Sequence, residues 1–204
     1  GSTIIFACGR ITGATIKARN LKVVVPDGKT YFNGCRLSGN IVNSKLKATN
    51  FGCKADMRTL SKSNWTYKGL PRQTLKYRTG TDNFKAMACI TTFLSGSTNV
   101  DFEWNGNFFT AHQPSAAIYA PPFIRIEGCK NMAMHGGTLI SGIRFIDCSN
   151  IELSDMRFVG YHECHGFPAI HISGSPAKAI KVNGVAYSMA RGEKYEWANN
   201  CYYY

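Results

Sequence analysis

The sequence predicts an all-β fold, a right-handed parallel β-helix with three short strands per coil and one short capping helix near residues 82–94. Three observations carry that reading: a repeat at a fixed offset, an Asn-led kernel that recurs along the chain, and several two-residue alternations inside each repeat. In the repeat, Ile124-Arg125-Ile126-Glu127-Gly128-Cys129-Lys130-Asn131-Met132-Ala133-Met134 aligns with Ile143-Arg144-Phe145-Ile146-Asp147-Cys148-Ser149-Asn150-Ile151-Glu152-Leu153. Every aligned pair is 19 residues apart, as Cys129 and Cys148 are. The kernel, Asn followed by apolar-x-apolar, stands also at Asn20-Leu21-Lys22-Val23 and Asn99-Val100-Asp101-Phe102.

The physical sense of the kernel is direct. Asn tolerates a left-handed backbone and makes a turn, and the alternation after it sends every second side chain inward. Each unit of roughly twenty residues holds about three such strands, as at Ile143–Ile146, Ile151–Leu153 and Arg157–Val159. Coils of that kind stack about 4.8 Å apart and bury their inward residues only against the coils above and below. Like residues then form ladders. Asn131 over Asn150 would share side-chain amide hydrogen bonds, and Cys129 over Cys148 would pack as an interior column. The alternative is a β-sandwich containing two similar hairpins.

Along the chain, residues 1–53 read as lead-in β-coils, 54–80 as a basic extended connection, 81–94 as the capping helix and 95–204 as the parallel coils, together one continuous domain. Residues 54–80 carry Lys54, Arg58, Lys62, Lys68, Arg72, Lys76 and Arg78 against Asp56 alone, with Trp65, Tyr67 and Tyr77 between them, which reads as a surface-laid connection. Thr81-Asp82-Asn83 is a helix start, and Phe84, Met87, Ala88 and Thr91 follow helical spacing through Leu94. A helix there would cover the open end of the stack, whose unpaired strand edges otherwise invite aggregation. In the third coil Ala169–Ile172 resumes the first strand and Ile180–Val182 the second, after an insertion from Gly160 to Pro168 that becomes a surface loop.

Charge is unevenly spread. Residues 1–100 hold 16 Lys and Arg against 3 Asp and Glu, whereas residues 101–204 hold 8 against 9. The first half therefore calls for an anionic partner, or presents a solvated basic face. The eight cysteines show no metal-ligand spacing and read as small buried thiols, reduced where the chain folds. No run is long enough to cross a bilayer. Gly1-Ser2 reads as a cloning remnant ahead of a fragment of something longer, with neither a basic leader nor a cleavage site.

Asn50-Phe51-Gly52-Cys53-Lys54, followed after an insertion by Gly80-Thr81-Asp82-Asn83 and an apolar helix, resembles the FGAKGDG and TDDT signature of pectate-lyase-like β-helix proteins. That superfamily includes phage tailspikes and extracellular polysaccharide-degrading enzymes. Gly13–Lys17 and Phe32–Asn40 look like the strand-rich lead-in of its phage and gut Bacteroidales members. The resemblance spans residues 4–175. It implies a secreted or virion-attached protein, commonly a homotrimer, that binds or cleaves surface polysaccharide or lipopolysaccharide. The calcium-binding aspartate cluster of pectate lyases has no counterpart here, which argues against a calcium-assisted lyase; no cofactor or metal is expected.

Candidate site residues follow from the coil alignment. Arg125, Arg144 and His171 fall in one outward column, where like charges at strand spacing repel unless an anion lies across them or Glu127 and Glu152 neutralise them. For glycoside cleavage two carboxylates must flank a bond, about 5–5.5 Å apart for retention or 6.5–9.5 Å for inversion. Asp155, at the bend after the second strand, and Glu163, in the inserted loop, are the candidates, with His162 or His165 as acid or base. The bland reading gives Asp155 a turn-capping role. A metal held by His162, Cys164 and His165 would want a fourth ligand that the sequence does not offer. Trp65, Trp104, Tyr119 and Tyr161 are possible sugar-stacking platforms, or else core and rim residues. The reading is a domain that binds, or binds and cleaves, an acidic cell-surface polysaccharide. Its rival is a noncatalytic structural or adhesive part of a fibre or virion. Nucleic acid is disfavoured because no recognised binding module accompanies the charge.

Overall fold

The computed structural model describes the backbone of residues 1–54, 61–67, 70–74, 83–107, 124–140, 143–159, 170–175, 179–182, 185–187 and 201–202. In chain order the elements are β1 (Thr3–Ile5), β2 (Ile11–Thr12), β3 (Thr15–Val24), β4 (Phe32–Asn33), β5 (Arg36–Lys47), a 3-10 turn (Ala48–Phe51), β6 (Ser61–Tyr67), β7 (Leu70–Thr74), α1 (Asn83–Leu94) and β8 (Thr98–Asn107). Then come β9 (Ile124–Glu127), β10 (Lys130–Ile140), β11 (Ile143–Ile146), β12 (Ser149–Val159), β13 (Ile170–Ser173), β14 (Ile180–Val182), β15 (Val185–Tyr187) and β16 (Cys201–Tyr202). The chain is mostly β, and its sheets are built largely of parallel pairs.

One long sheet runs β1-β3-β5-β8-β10-β12-β14-β15, and a second is ordered β13-β11-β9. Successive units thus give one strand to the short sheet and the next to the long one. The repeat read from the sequence is the pairing register itself: Ile143 lies beside Ile124 and Ile170, and Ile151 beside Met132 and Ile180, all parallel. Parallel in-register pairing excludes the antiparallel sandwich. Inward positions form apolar rows, Leu46-Phe102-Met134-Leu153 in the long sheet and Ile126-Phe145-Ile172 in the short one, and all of these residues belong to a single buried cluster. Each such side chain contributes about 1.5–3 kcal/mol by leaving water.

Left-handed residues turn the chain between strands. Asn43, Asn99, Asn131 and Asn150 have φ of 48°, 57°, 52° and 53°, and their amides form a chain: Asn150 Nδ2 donates to Asn131 Oδ1 (2.8 Å), Asn131 to Asn99 (3.0 Å) and Asn99 to Asn43 (2.9 Å). A second turn row precedes it, Gly96, Gly128, Asp147 and Gly174, with backbone bonds from Gly96 N to Glu127 O, Gly128 N to Ile146 O and Asp147 N to Ser173 O. A third falls inside the long strands at Asn105, Gly136 and Asp155. The expected second and third strands of each unit are therefore one continuous strand bent at that third position, as in β12. Left-handed geometry bends the ladder there without ending its pairing.

Helix α1 takes the place of a short-sheet strand. It occurs where the order β4, α1, β9 would require one, and it packs against both β4 and β9 as well as β5 and the 3-10 turn. The long sheet runs past it without a break, since β5 pairs with β8. The helix thus covers edges inside the stack, which corrects the expectation that it closes an end. Its buried stripe is Ala86, Met87, Cys89, Ile90, Phe93 and Leu94, with Ala88 exposed and Thr91 half-buried, so the predicted stripe is also corrected. Phe93 meets Phe32 at 4.6 Å and Phe51 at 5.2 Å between ring centroids. In the predicted 54–80 connection, β6 and β7 pair with each other as an antiparallel hairpin, a correction to a purely extended reading.

The Asn-Phe-Gly motif has a local structural role. Asn50 is fully buried, accepts from Lys47 N (2.7 Å) and donates to the carbonyls of Asp27 and Lys29 (2.9 Å each), which ties the preceding loop to the turn. Gly52 closes that turn at φ 89°. Cys35, Cys53, Cys89, Cys129 and Cys148 are free and buried as expected, while Cys8 is free but exposed. Burial pushes the Cys53 and Cys89 thiols up to about 12. The hydrogen bond with Cys148, then burial, raises Cys129.

Candidate functional site

The first units present cations outward because strand alternation leaves them no other choice. In β3 and β5, Leu21, Val23 and Leu37 are buried, so their neighbours Lys22 and Arg36 face solvent, and Lys17 and Arg19 are exposed on the same strands. Residues 1–54 contain nine Lys and Arg and one acid, Asp27. Asp27 is already engaged: it accepts from Lys29 N (2.8 Å) and Tyr31 Oη (2.7 Å) and pairs with Lys29 Nζ at 3.1 Å. The Lys29 backbone N–H and then the Tyr31 hydroxyl hold its carboxyl below the usual range. Arg10, Lys17, Arg19, Lys22 and Arg36 make no ion pair with any described residue.

The next unit along the long sheet balances its charge. Lys45 and Asp101 approach at 3.8 Å, Lys47 and Glu103 at 2.8 Å, and His135 Nε2 meets Asp101 Oδ1 at 2.8 Å. Sequence reasoning missed Asp101, Glu103 and His135 as partners, because the β5–β8 register joins residues more than fifty apart and His135 meets Asp101 across 34 residues through the β8–β10 pairing. The alternation Val100, Phe102, Trp104 inward carried a usable signal, since it obliges Asp101 and Glu103 to face out.

In the short sheet, Arg144 lies in register between Arg125 and His171. Arg125 is exposed, and its Nε donates to Glu127 on the same strand. Arg144 is half-buried, and its Nε is buried without a hydrogen-bond partner. The residue in register with Glu127 is Ile146, and the next is Ser173, so the carboxylate that neutralises Arg125 has no counterpart beside Arg144. Glu152 stands in the long sheet, between Ala133 and Lys181.

Of the other sequence-derived candidates, the two whose side chains are described, Asp155 and Trp104, stand in the long sheet and not in this column. Asp155 is exposed at φ 49° in β12, where preceding units carry Gly136 and Asn105, so its position answers to backbone geometry. Trp104 is wholly buried and meets Phe102 edge-on at 4.9 Å, which corrects its reading as a sugar platform. Trp65 belongs to β6, its side chain outside the described residues, as is that of His171. Tyr119, Tyr161, His162, Glu163, Cys164 and His165 also lie outside the described residues.

No protein-family model, characterised protein or solved structure matches this chain. Among the described residues no group of three or more His, Cys, Asp and Glu is placed to hold a metal ion, and no helix is long and apolar enough to cross a membrane. What the surface can do is bind anions. Exposed unpaired cations supply a diffuse field, and a guanidinium with an unpartnered N–H supplies a directional donor.

Proposed function

We propose that this chain is a right-handed parallel β-helix domain whose basic outer face binds an acidic polysaccharide in an extracellular or virion-attached setting. The handedness follows from the strong preference of parallel crossovers for the right-handed sense. The observation that carries the functional reading is the set of exposed cations on the first units, Lys17, Arg19, Lys22 and Arg36, which have no counter-charge among the described residues. Like charges crowded on outward strand positions cost stability and add affinity for a polyanion. A sheet of many parallel strands also suits an extended polymer better than a compact ligand. The signature at Asn50–Lys54 and Gly80–Asn83 points to the same class of partner.

The test is retention of the protein on immobilised polyuronate, on neutral dextran and on mixed-sequence DNA across a salt series. Polyuronate should retain it, with affinity falling steeply with salt, and dextran should not. The combined Lys17→Ser, Arg19→Ser, Lys22→Ser, Arg36→Ser variant should lose tenfold or more. Equal retention on dextran and polyuronate, or tighter retention on DNA than on any glycan, would overturn the proposal. Polymer length measured in the same mixtures separates binding from cleavage, and loss of shortening in Asp155→Asn would give that carboxylate a role in bond breaking.

A further inference from the structure

We infer that Arg144 is the binding point for a single carboxylate, held side-on by its Nε and one Nη. The identity of the polymer that carries the carboxylate rests on the reading above, but the site does not. Three observations meet at this residue. Its Nε is buried and has no partner, although a guanidinium N–H removed from water is costly to leave unpaired. It stands in register with Arg125, whose charge Glu127 offsets, so of two like charges at strand spacing Arg144 is the one without an anion among the described residues. The one nearby carboxylate in this sheet, Glu127, is engaged by Arg125, and the matching place beside Arg144 is taken by Ile146.

The geometry also selects the kind of anion. Nε and the adjacent Nη of a guanidinium form a planar two-donor edge that matches the two oxygens of a carboxylate, whereas an ammonium offers a point charge without that match. The apolar neighbours Ile143, Phe145 and Ile146 fix the strand that holds the arginine, and Ile143 and Phe145 are fully buried beneath it. A uronic acid residue would place one carboxylate on Arg144 while its hydroxyls stay in water.

The experiment uses the whole chain labelled with ¹⁵N, with the Arg144 Nε–H signal assigned by its disappearance in Arg144→Lys. Sodium glucuronate should shift that signal saturably, and glucose should leave it in place. An unmoved signal, or one that drifts without saturation alongside that of Arg125, would overturn the site. As a second arm, Arg144→Lys keeps the charge but loses the fork, and it should bind uronate oligomers at least tenfold more weakly while its thermal midpoint stays near that of the parent. Unchanged affinity in that variant would also overturn the site. The two proposals fail separately. A glucuronate shift at Arg144 without polyuronate retention removes the polysaccharide reading alone, and polyuronate retention with a silent Arg144 removes the carboxylate site alone.

Discussion

Asn150 donates its side-chain amide to Asn131 at 2.8 Å, and the two residues hold nearly the same left-handed backbone, φ 53° and 52°. The pair joins two needs in one residue type. Asn tolerates the turn, and its amide both gives and accepts, so the same residue in the next unit completes the chain of bonds. Asn131 sits in the middle, accepting from Asn150 and donating to Asn99.

Asn131→Ala should therefore lower stability by about 2 kcal/mol, from two lost side-chain hydrogen bonds and a left-handed Cβ. Asn131→Gly loses the bonds but relieves the backbone, and should recover about 1 kcal/mol of that loss. Chemical denaturation midpoints of the two variants check the order. Equal losses would mean that the turn conformation is not what selects Asn.

Gly39 and Gly13 test another consequence of the stacking. Gly39 has φ 138°, and a Cβ there would fall 1.6 Å from the carbonyl oxygen of Ala18 on the neighbouring strand, next to the point where the β3–β5 register shifts. Gly13 has φ 65° and open space around its would-be Cβ. Gly13→Ala should cost about 1 kcal/mol, the left-handed penalty alone. Gly39→Ala should cost about 3 kcal/mol or more, because backbone must move. Thermal unfolding of both variants gives the comparison.

The parallel stack was legible because it repeats: a 19-residue offset is visible without any partner, and it turned out to be the register of β9–β11 and β10–β12. Features that interrupt the repeat were harder to read. That α1 substitutes for a strand depends on its packing between β4 and β9, contacts from opposite sides of the 54–80 insertion, which no local pattern records. The helix stripe was misread because Ala88 is as apolar on paper as Ala86, and only the sheet beneath decides which face is down. Trp104 looked available for a sugar, yet its alternation with Phe102 already assigned it inward. At the site, the Arg125–Arg144 register could be read from the repeat, but the contrast between a neutralised Arg125 and an orphaned Arg144 could not. That contrast arises from Glu127 standing where the next unit has Ile146.

The thiols and Asp27 set opposite ends of a pH profile. Cys53 and Cys89 have folded values raised to about 12 from 9.0 by burial, so the folded chain keeps protons that the unfolded chain releases. Their contribution is complete below about pH 9 and is lost as the pH rises from there toward 12. Asp27 is shifted the other way, so its contribution is present above its unfolded value and is lost as the pH falls below it. Stability measured by denaturant from acid to alkali should show a plateau between these ends. At pH 8, Cys8 should react first with a thiol reagent among the described cysteines, and Cys53 and Cys89 only after denaturant is added. Rapid native labelling of Cys53 or Cys89 would contradict the burial.

The last prediction concerns the helix that stands in for a strand. Phe93 is wholly buried and is held between Phe32 and Phe51, which themselves stack at 5.6 Å, so one side chain ties α1 to β4 and to the 3-10 turn. Phe93→Ala leaves a cavity ringed by aromatics that cannot collapse into it, and should cost about 3–5 kcal/mol. Phe93→Leu fills most of that space and should cost appreciably less. Because α1 also lies against β9, and Gly96 N bonds Glu127 O just past the helix, loosening the helix should expose amides at that junction. Hydrogen exchange in Phe93→Ala should therefore accelerate at Gly96 before it accelerates at Ile151, whose N–H bonds Ala179 O in the long sheet on the far side of β10. Uniform acceleration at both would mean that the helix and the stack unfold as one unit and that the helix does no separate work at the β4 and β9 edges.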